Sequence, residues 1–412
     1  MPYEDLTNYG DIQYTGSVII GTPGQPGSNF VYDTGSGYLA VATAGCSDCS
    51  EIVYNPAVSS TYTQPSKTTP TSLSYGSAVL HGKMGEDTVC IPTSQSTECV
   101  SNFQFFMISS QKGLDDLDGI LGLSPSESSN GPSLASAMYE SQQWPEFVAS
   151  FVIGNETQPS YVTLGGYPDA SAYTGHFVKQ PLVKKYSMWW TMRLTNIKIG
   201  PNSGKLNAKY FAIADTGTSF LYLLEEDFSS FKVMVMNASS DFICDTVNAG
   251  YCYSNVTTCD AYWAQLEPLT LFLDHNIYVI QPEGYTISNA WEGSACVVAV
   301  SYTSNNDVYV LGDTFLRNFV SVFDYKHNTI SFAVSATAPA GTSATLYIGT
   351  LNIVWVCLAG LVVLYLVWRI YDHCKMKKKQ KQEAQLKAQL EEQGVDDKKL
   401  VETTEQPIEE QE

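Results

Sequence analysis

Positive charge is scarce in this sequence. Lys and Arg number 22 against 42 Asp and Glu in 412 residues, a formal net charge of −20, and His occurs five times. The deficit is uneven: residues 346–412 hold 9 of the basic and 11 of the acidic side chains, leaving 13 against 31 before them. Binding a phosphate backbone needs clustered cations, so nucleic acid is excluded as a partner of the large N-terminal part. Two catalytic schemes also lack their parts. There is no Gly-x-Ser-x-Gly elbow, and five His leave Ser-His-Asp chemistry without support. The one Cys-x-x-Cys, at Cys46 and Cys49, has no second pair and no His cluster to complete a zinc site, so neither metal nor cofactor is expected. Strong helix formers are few over most of the length while Tyr, Ser and Thr are many, which favours strands. A secretory leader is missing as well: MPYEDLTNYGD has no basic n-region and no apolar h-region.

The chain is too long for one hydrophobic core, so two lobes are expected, here 1–175 and 176–338. A short stalk, 339–345, leads to the single long apolar run. Residues 346–368, LYIGTLNIVWVCLAGLVVLYLVW, are 23 in number and carry no charge, enough for a transmembrane helix. RIYDHCKMKKKQK follows, so the positive-inside rule puts the charged tail, 369–412, in the cytosol and residues 1–345 in a lumen or outside the cell. A protein so oriented needs a leader, and the reading is therefore of a chain that begins downstream of its signal and pro-segment. Eight of the ten Cys precede residue 345, and three glycosylation sequons begin at Asn155, Asn237 and Asn255; both features suit an oxidising secretory route.

One short stretch recurs. FVYDTGSGYLAV (30–41) and FAIADTGTSFLYL (211–223) both run from an apolar strand into Asp-Thr-Gly and then Ser or Thr. Each is followed by an apolar segment ending in Gly: DGILGL places Gly122 89 positions beyond Asp33, and VYVLGD places Gly312 97 beyond Asp215. The repeated order implies a duplicated lobe. Each residue type has a chemical reason. Apolar strands deliver two aspartates to a dry junction, and Gly lets two loops approach closely. The Thr hydroxyls, Thr34 and Thr216, can bond across, while Ser36 or Thr218 can bond the adjacent carboxylate. Two carboxylates forced together hold one proton between them, so one member serves as base while the other polarises a carbonyl.

At these residues the chain resembles the pepsin-like aspartic proteases. The likeness covers roughly residues 6–334 and includes NYGDIQYTGSVIIGTPGQ, SYGSAVLHGKMGEDTV (74–89), DGILGL, VTLGG (162–166) and LGDTFLRNFVSVFD (311–324). It implies an all-β, bilobal fold and an aspartic endopeptidase acting at acidic pH on polypeptides held extended, about eight residues at a time. It implies Asp33 and Asp215 as the catalytic pair, with Thr34, Gly35, Ser36, Thr216, Gly217 and Thr218 supporting them. It also implies Tyr75, Gly76 and Ser77 as a flap over substrate, and Leu117 and Ile120 as pocket walls. Cys46–Cys49 falls near the family's short disulfide loop and Cys259–Cys296 resembles its C-lobe disulfide; Cys90–Cys99 and Cys244–Cys252 are expected for the rest. A monomer, lumenal in an endolysosomal or vacuolar compartment or at the cell surface, is the expectation. The alternative is a weak or inactive membrane-anchored homologue that only binds peptides, against which both intact Asp-Thr-Gly triplets argue.

The pattern breaks in two places. Where the family usually carries a Trp bonded to the flap tyrosine stands Ala40, so a flap that is looser or held by another group, with weaker catalysis or broader specificity but not inactivity, is expected. Where a flap-tip Gly is usual stands Ala78, which should restrict the turn.

Overall fold

The computed structural model describes residues 2–50, 52–66, 69–125, 131–200, 202–203, 210–245, 250–303, 308–346 and 350–392. It divides into a compact unit, Met1–Tyr347, and a second, Ile348–Glu412. The first unit is mostly β and bilobal. An eight-stranded sheet occupies the N-terminal half and a twelve-stranded sheet the C-terminal half. A six-stranded sheet joins them, drawing Glu4–Asp5, Val148–Val152, Tyr161–Leu164 and Tyr173–Pro181 together with Phe319–Asp324 and Thr329–Ser335.

Strand sequences explain their places. Leu269–Leu273 (LTLFL) and Asn276–Ile280 (NIYVI) alternate buried with half-buried residues, as a sheet with one covered face requires. Gly119–Gly122 (GILG) is buried at every position, with strands flanking it on both edges. The halves meet through large side chains. Trp190 is fully buried, its ring 5.1 Å from that of Phe323 and 4.9 Å from that of Tyr325. The Trp190 indole and the Tyr325 hydroxyl both donate to the Leu123 carbonyl, each at 2.9 Å. Burying each such ring stabilises by roughly 1.5–3 kcal/mol. The anchored carbonyl lies one residue past Gly122, so core packing holds the segment that supports Asp33.

Four disulfides close: Cys46–Cys49, Cys90–Cys99, Cys244–Cys252 and Cys259–Cys296. The second and third join directly opposed residues of antiparallel strands.

The second unit contains the helix Thr350–Glu392. Among the described residues no helix is long and apolar enough to cross a membrane. Of the apolar run 346–368, residues 347–349 lie outside the described residues, as do the side chains of 350–357 and 359.

Candidate active site

Each Asp-Thr-Gly loop is built the same way. The strand Gln25–Asp33 runs parallel to Gly119–Gly122, with Asp33 opposite Gly122, and Leu39–Ser47 returns antiparallel on the other edge of that short strand. In the second half Tyr210–Ala214 runs parallel to Val308–Leu311, while Leu221–Leu224 returns along it antiparallel. The apolar-Gly segment is thus clasped between the strand entering the aspartate loop and the strand leaving it. Gly is required there: a Cβ on Gly122 would sit 2.5 Å from the Gly37 carbonyl carbon.

The loops face each other through a reciprocal lattice. Thr34 N donates to Thr216 Oγ1 and Thr216 N to Thr34 Oγ1, both at 3.0 Å. Thr34 Oγ1 donates to the Ala214 carbonyl at 3.1 Å, and Thr216 Oγ1 to the Tyr32 carbonyl at 2.5 Å. All four bonds cross between the halves, and both Thr are buried. Buried bonds of this kind are costly to break because the partner loses solvation as well. The aspartates are brought together by the same closeness: a Cβ on Gly35 would lie 2.5 Å from Asp215 Cγ, and one on Gly217 would strike Asp33 Oδ1.

The two carboxylates differ. Asp33 is 6% exposed and accepts from Gly35 N at 2.8 Å. Asp215 is half-buried and accepts from Gly217 N at 2.9 Å and from the Thr218 hydroxyl at 2.7 Å. Ser36 occupies the place of Thr218 in the first loop. Its Oγ lies beside Asp33 and the Tyr75 phenol, yet it is buried without a hydrogen bond of proper geometry. Burial first, and the neighbouring Asp215 charge second, push the Asp33 carboxyl well above the ordinary carboxylate range.

A cleft of about 930 Å³ opens over the pair. The strand Ser72–Ser74 pairs with Val79–Pro92, and the Tyr75 N–H closes the tip on the Ala78 carbonyl at 2.7 Å. Tyr75, Gly76 and Ser77 therefore stand on the tip, lining the cleft with Leu117 and Ile120. Ala78 needs no left-handed backbone and is buried, so the expected restriction at this turn does not arise. Ala40 is fully buried, and the space around it is filled by Leu80, Met84, Phe106 and Ile108, against which Tyr75 packs.

Several cleft residues escaped the sequence reading: Tyr38, Leu114, Trp189 and Tyr222. No local pattern marks them: Tyr38, Leu114 and Trp189 stand in connections between strands and Tyr222 in the strand Leu221–Leu224, and the fold brings them to one wall. Asp313 was also missed. It is 2% exposed with Oδ1 unpartnered, and burial, then the Asp215 charge, push it well above the ordinary range. Its position directly after Gly312, where the first half has Leu123, was the available signal. His81, Asn237 and Asn255 are exposed, and Asn155 is half-buried. No group of three or more His, Cys, Asp or Glu among the described residues is arranged to hold a metal ion.

Two loops that fold alike, pair their carboxylates at a dry junction and lie under a hairpin define a bilobal hydrolase of the aspartic type. Comparison with known proteins makes this specific: the sequence model of the family Eukaryotic aspartyl protease matches residues 13–335, and the chain belongs to that family. Gastricsin from Callithrix jacchus is 31% identical over 353 residues, covering 81% of this chain and 84% of that protein. Pepsin B from Canis lupus familiaris is 30% identical over 357 residues, covering 81% and 84%. The crystal structure of the aspartic proteinase from Irpex lacteus superposes with a TM-score of 0.67 at 22% identity, over 83% of this chain and 99% of that one, a likeness of fold. The protein is an aspartic endopeptidase.

Proposed function

We propose that Asp33 and Asp215 form the catalytic pair, with Asp33 the member that holds the shared proton. The observation that carries this is their unequal setting: Asp33 is buried with one backbone donor, and Asp215 is more open with two donors. A water between them gives a proton to ionised Asp215 and attacks the peptide carbon. Asp33 donates its proton to the carbonyl oxygen, giving a gem-diol. As the diol collapses, the C–N bond breaks, the amine takes the proton from Asp215, and Asp33 recovers one from a diol hydroxyl. Thr34 and Thr216 fix the two loops against each other, Gly35 and Gly217 admit the opposite carboxylate, and Thr218 orients Asp215. Tyr75, Gly76 and Ser77 close over an extended polypeptide, and Leu117 and Ile120 wall its apolar pocket.

The test is cleavage of peptides by the full chain from pH 3 to 7, with and without a statine-containing peptide that imitates the gem-diol. Cleavage with an acid optimum, blocked by the statine peptide and reduced by roughly 10²–10⁴-fold in Asp215→Asn, is expected. Undiminished cleavage in that variant would refute the assignment.

The protease unit faces a lumen or the exterior, held by residues 346–368 as a single transmembrane helix with the C-terminus in the cytosol. What supports this is the uncharged 23-residue run followed by a Lys cluster. Alkaline carbonate should leave the chain in the membrane pellet, and added protease should digest only the tail in sealed vesicles. Release into the supernatant would contradict the anchor.

A further inference from the structure

On the C-terminal half, neighbouring elements expose large apolar side chains that do not line the cleft. The helix Glu225–Ala238 buries Phe228, Phe231 and Val235 along one stripe. Its opposite side carries Val233 and Met236, 55% and 51% exposed and three residues apart, hence neighbours on one face. This helix packs against the strand Ile243–Asp245, where Ile243 is 44% exposed and stands opposite half-buried Tyr253. Val256, just beyond the strand Tyr251–Ser254, is 63% exposed. Single exposed apolar residues are ordinary, whereas a contiguous group usually has a cover.

The sequence supplies a cover of definite chemistry at the edges of this group. Asn237 adjoins Met236, lies one helical turn from Val233 and begins Asn-Ala-Ser; Asn255 adjoins Val256 and begins Asn-Val-Thr. Both are exposed. The third sequon, Asn155, sits between Val148–Val152 and Tyr161–Leu164, strands of the joining sheet. The helix also bears Glu225 and Glu226, both exposed, against the single cation Lys232, which disfavours an anionic lipid surface as the cover.

We propose that N-linked glycans on Asn237 and Asn255 lie over Val233, Met236, Ile243 and Val256 and shield this face from water and from other chains. The proposal rests on the lumenal placement of residues 1–345. A bulky, solubilising sugar chain anchored at two edges would hide what the fold leaves uncovered.

Met236 gives a direct readout, because hydroxyl radicals oxidise an accessible thioether rapidly. The full chain is made in a glycosylating eukaryotic host, sugar occupancy is measured by peptide mass spectrometry, and the folded protein is footprinted before and after enzymatic trimming of its glycans. Asn237 and Asn255 should carry sugar, and trimming should raise Met236 oxidation several-fold while buried Met192 is unchanged. Asn237→Gln with Asn255→Gln should do the same, and Asn155→Gln should not; the trimming arm does not depend on the variants folding. Bare Asn237 or Asn255, or an unchanged Met236 rate after trimming, would overturn the proposal, the latter assigning the cover to another protein surface or the membrane. Sugar on Asn155 alone would remove the shield and keep the lumenal placement; no sugar on any of the three would remove both.

Discussion

The two aspartate loops share a plan and differ in their last residue and in depth. Both rest on a clasped apolar-Gly strand and both lend a Thr to the cross-lobe lattice. Asp215, however, has a hydroxyl partner in Thr218, whereas Ser36 gives Asp33 no well-formed bond and Asp33 lies deeper. A duplicated architecture supplies two carboxylates, and the departure from symmetry is the ground for the different work proposed for them. Desolvation penalises the charged form of the buried one, which the proposal makes the proton holder, with the more open one as base.

The comparison breaks hardest where the loops touch. Gly35→Ala would push a methyl into the Asp215 carboxyl, and misplacing a catalytic group by about 1 Å costs roughly 10²-fold, so kcat/KM should fall at least that far. Steady-state peptide cleavage checks it, with a statine-peptide binding assay showing whether the cleft still forms.

The inequality between the loops is sharpened by a matched pair. Thr218→Ala removes a bond to a charged group worth about 1.5–3 kcal/mol, or roughly 10- to 100-fold in kcat/KM. Ser36→Ala removes a buried hydroxyl that has no proper partner, so kcat/KM should hardly change. Equal losses in the two variants would mean the loops support their carboxylates alike.

Ala40→Trp addresses the flap of the N-terminal half. With Leu80, Met84 and Phe106 already filling the site, an indole overpacks it, and a loss of about 1–3 kcal/mol in unfolding free energy is expected. Chemical denaturation measures this; a stabilised protein with a better-protected flap in hydrogen exchange would show that the space was open.

The smallest effect concerns pH and stability. Asp33 and Asp313 both have carboxyls raised by burial, so the fold binds their protons more tightly than the unfolded chain does. Their contribution is full below the ordinary carboxylate value of about 3.9 and is lost as pH rises through the elevated folded values. Calorimetric Tm should therefore decline from acid toward neutral pH, and Asp313→Asn should flatten that decline; a steeper decline in the variant would reverse the sign assigned to Asp313.

Much of this was legible before any coordinates. Asp33-Thr34-Gly35 and Asp215-Thr216-Gly217 could be read because the geometry tolerates few residues: Gly where the opposite carboxylate presses in, Thr where a hydroxyl and an N–H must both cross over. Gly122 and Gly312 were legible for the same steric reason. The unequal depth of the aspartates was not, since it depends on what packs above each loop. Ser36 and Thr218 look interchangeable in sequence, and only the fold shows that one hydroxyl reaches its carboxylate. The cluster that holds Ala40 was not legible, because Leu80, Met84 and Phe106 lie far along the chain. Tyr38 and Trp189 join the cleft wall from the connections just before the strands Leu39–Ser47 and Thr191–Ile199, a placement that no local pattern marks.

The central claim is that burial makes Asp33 the proton holder of the pair. A carboxyl-13C NMR titration of the Asp-labelled protein, read in wild type, Asp33→Asn and Asp215→Asn, tests it most directly. Two carboxyls raised well above the ordinary range are expected in wild type: that of Asp313, which stays in both variants, and a second that disappears in Asp33→Asn and persists, still raised, in Asp215→Asn. A raised signal that survives Asp33→Asn and vanishes with Asp215→Asn would contradict it.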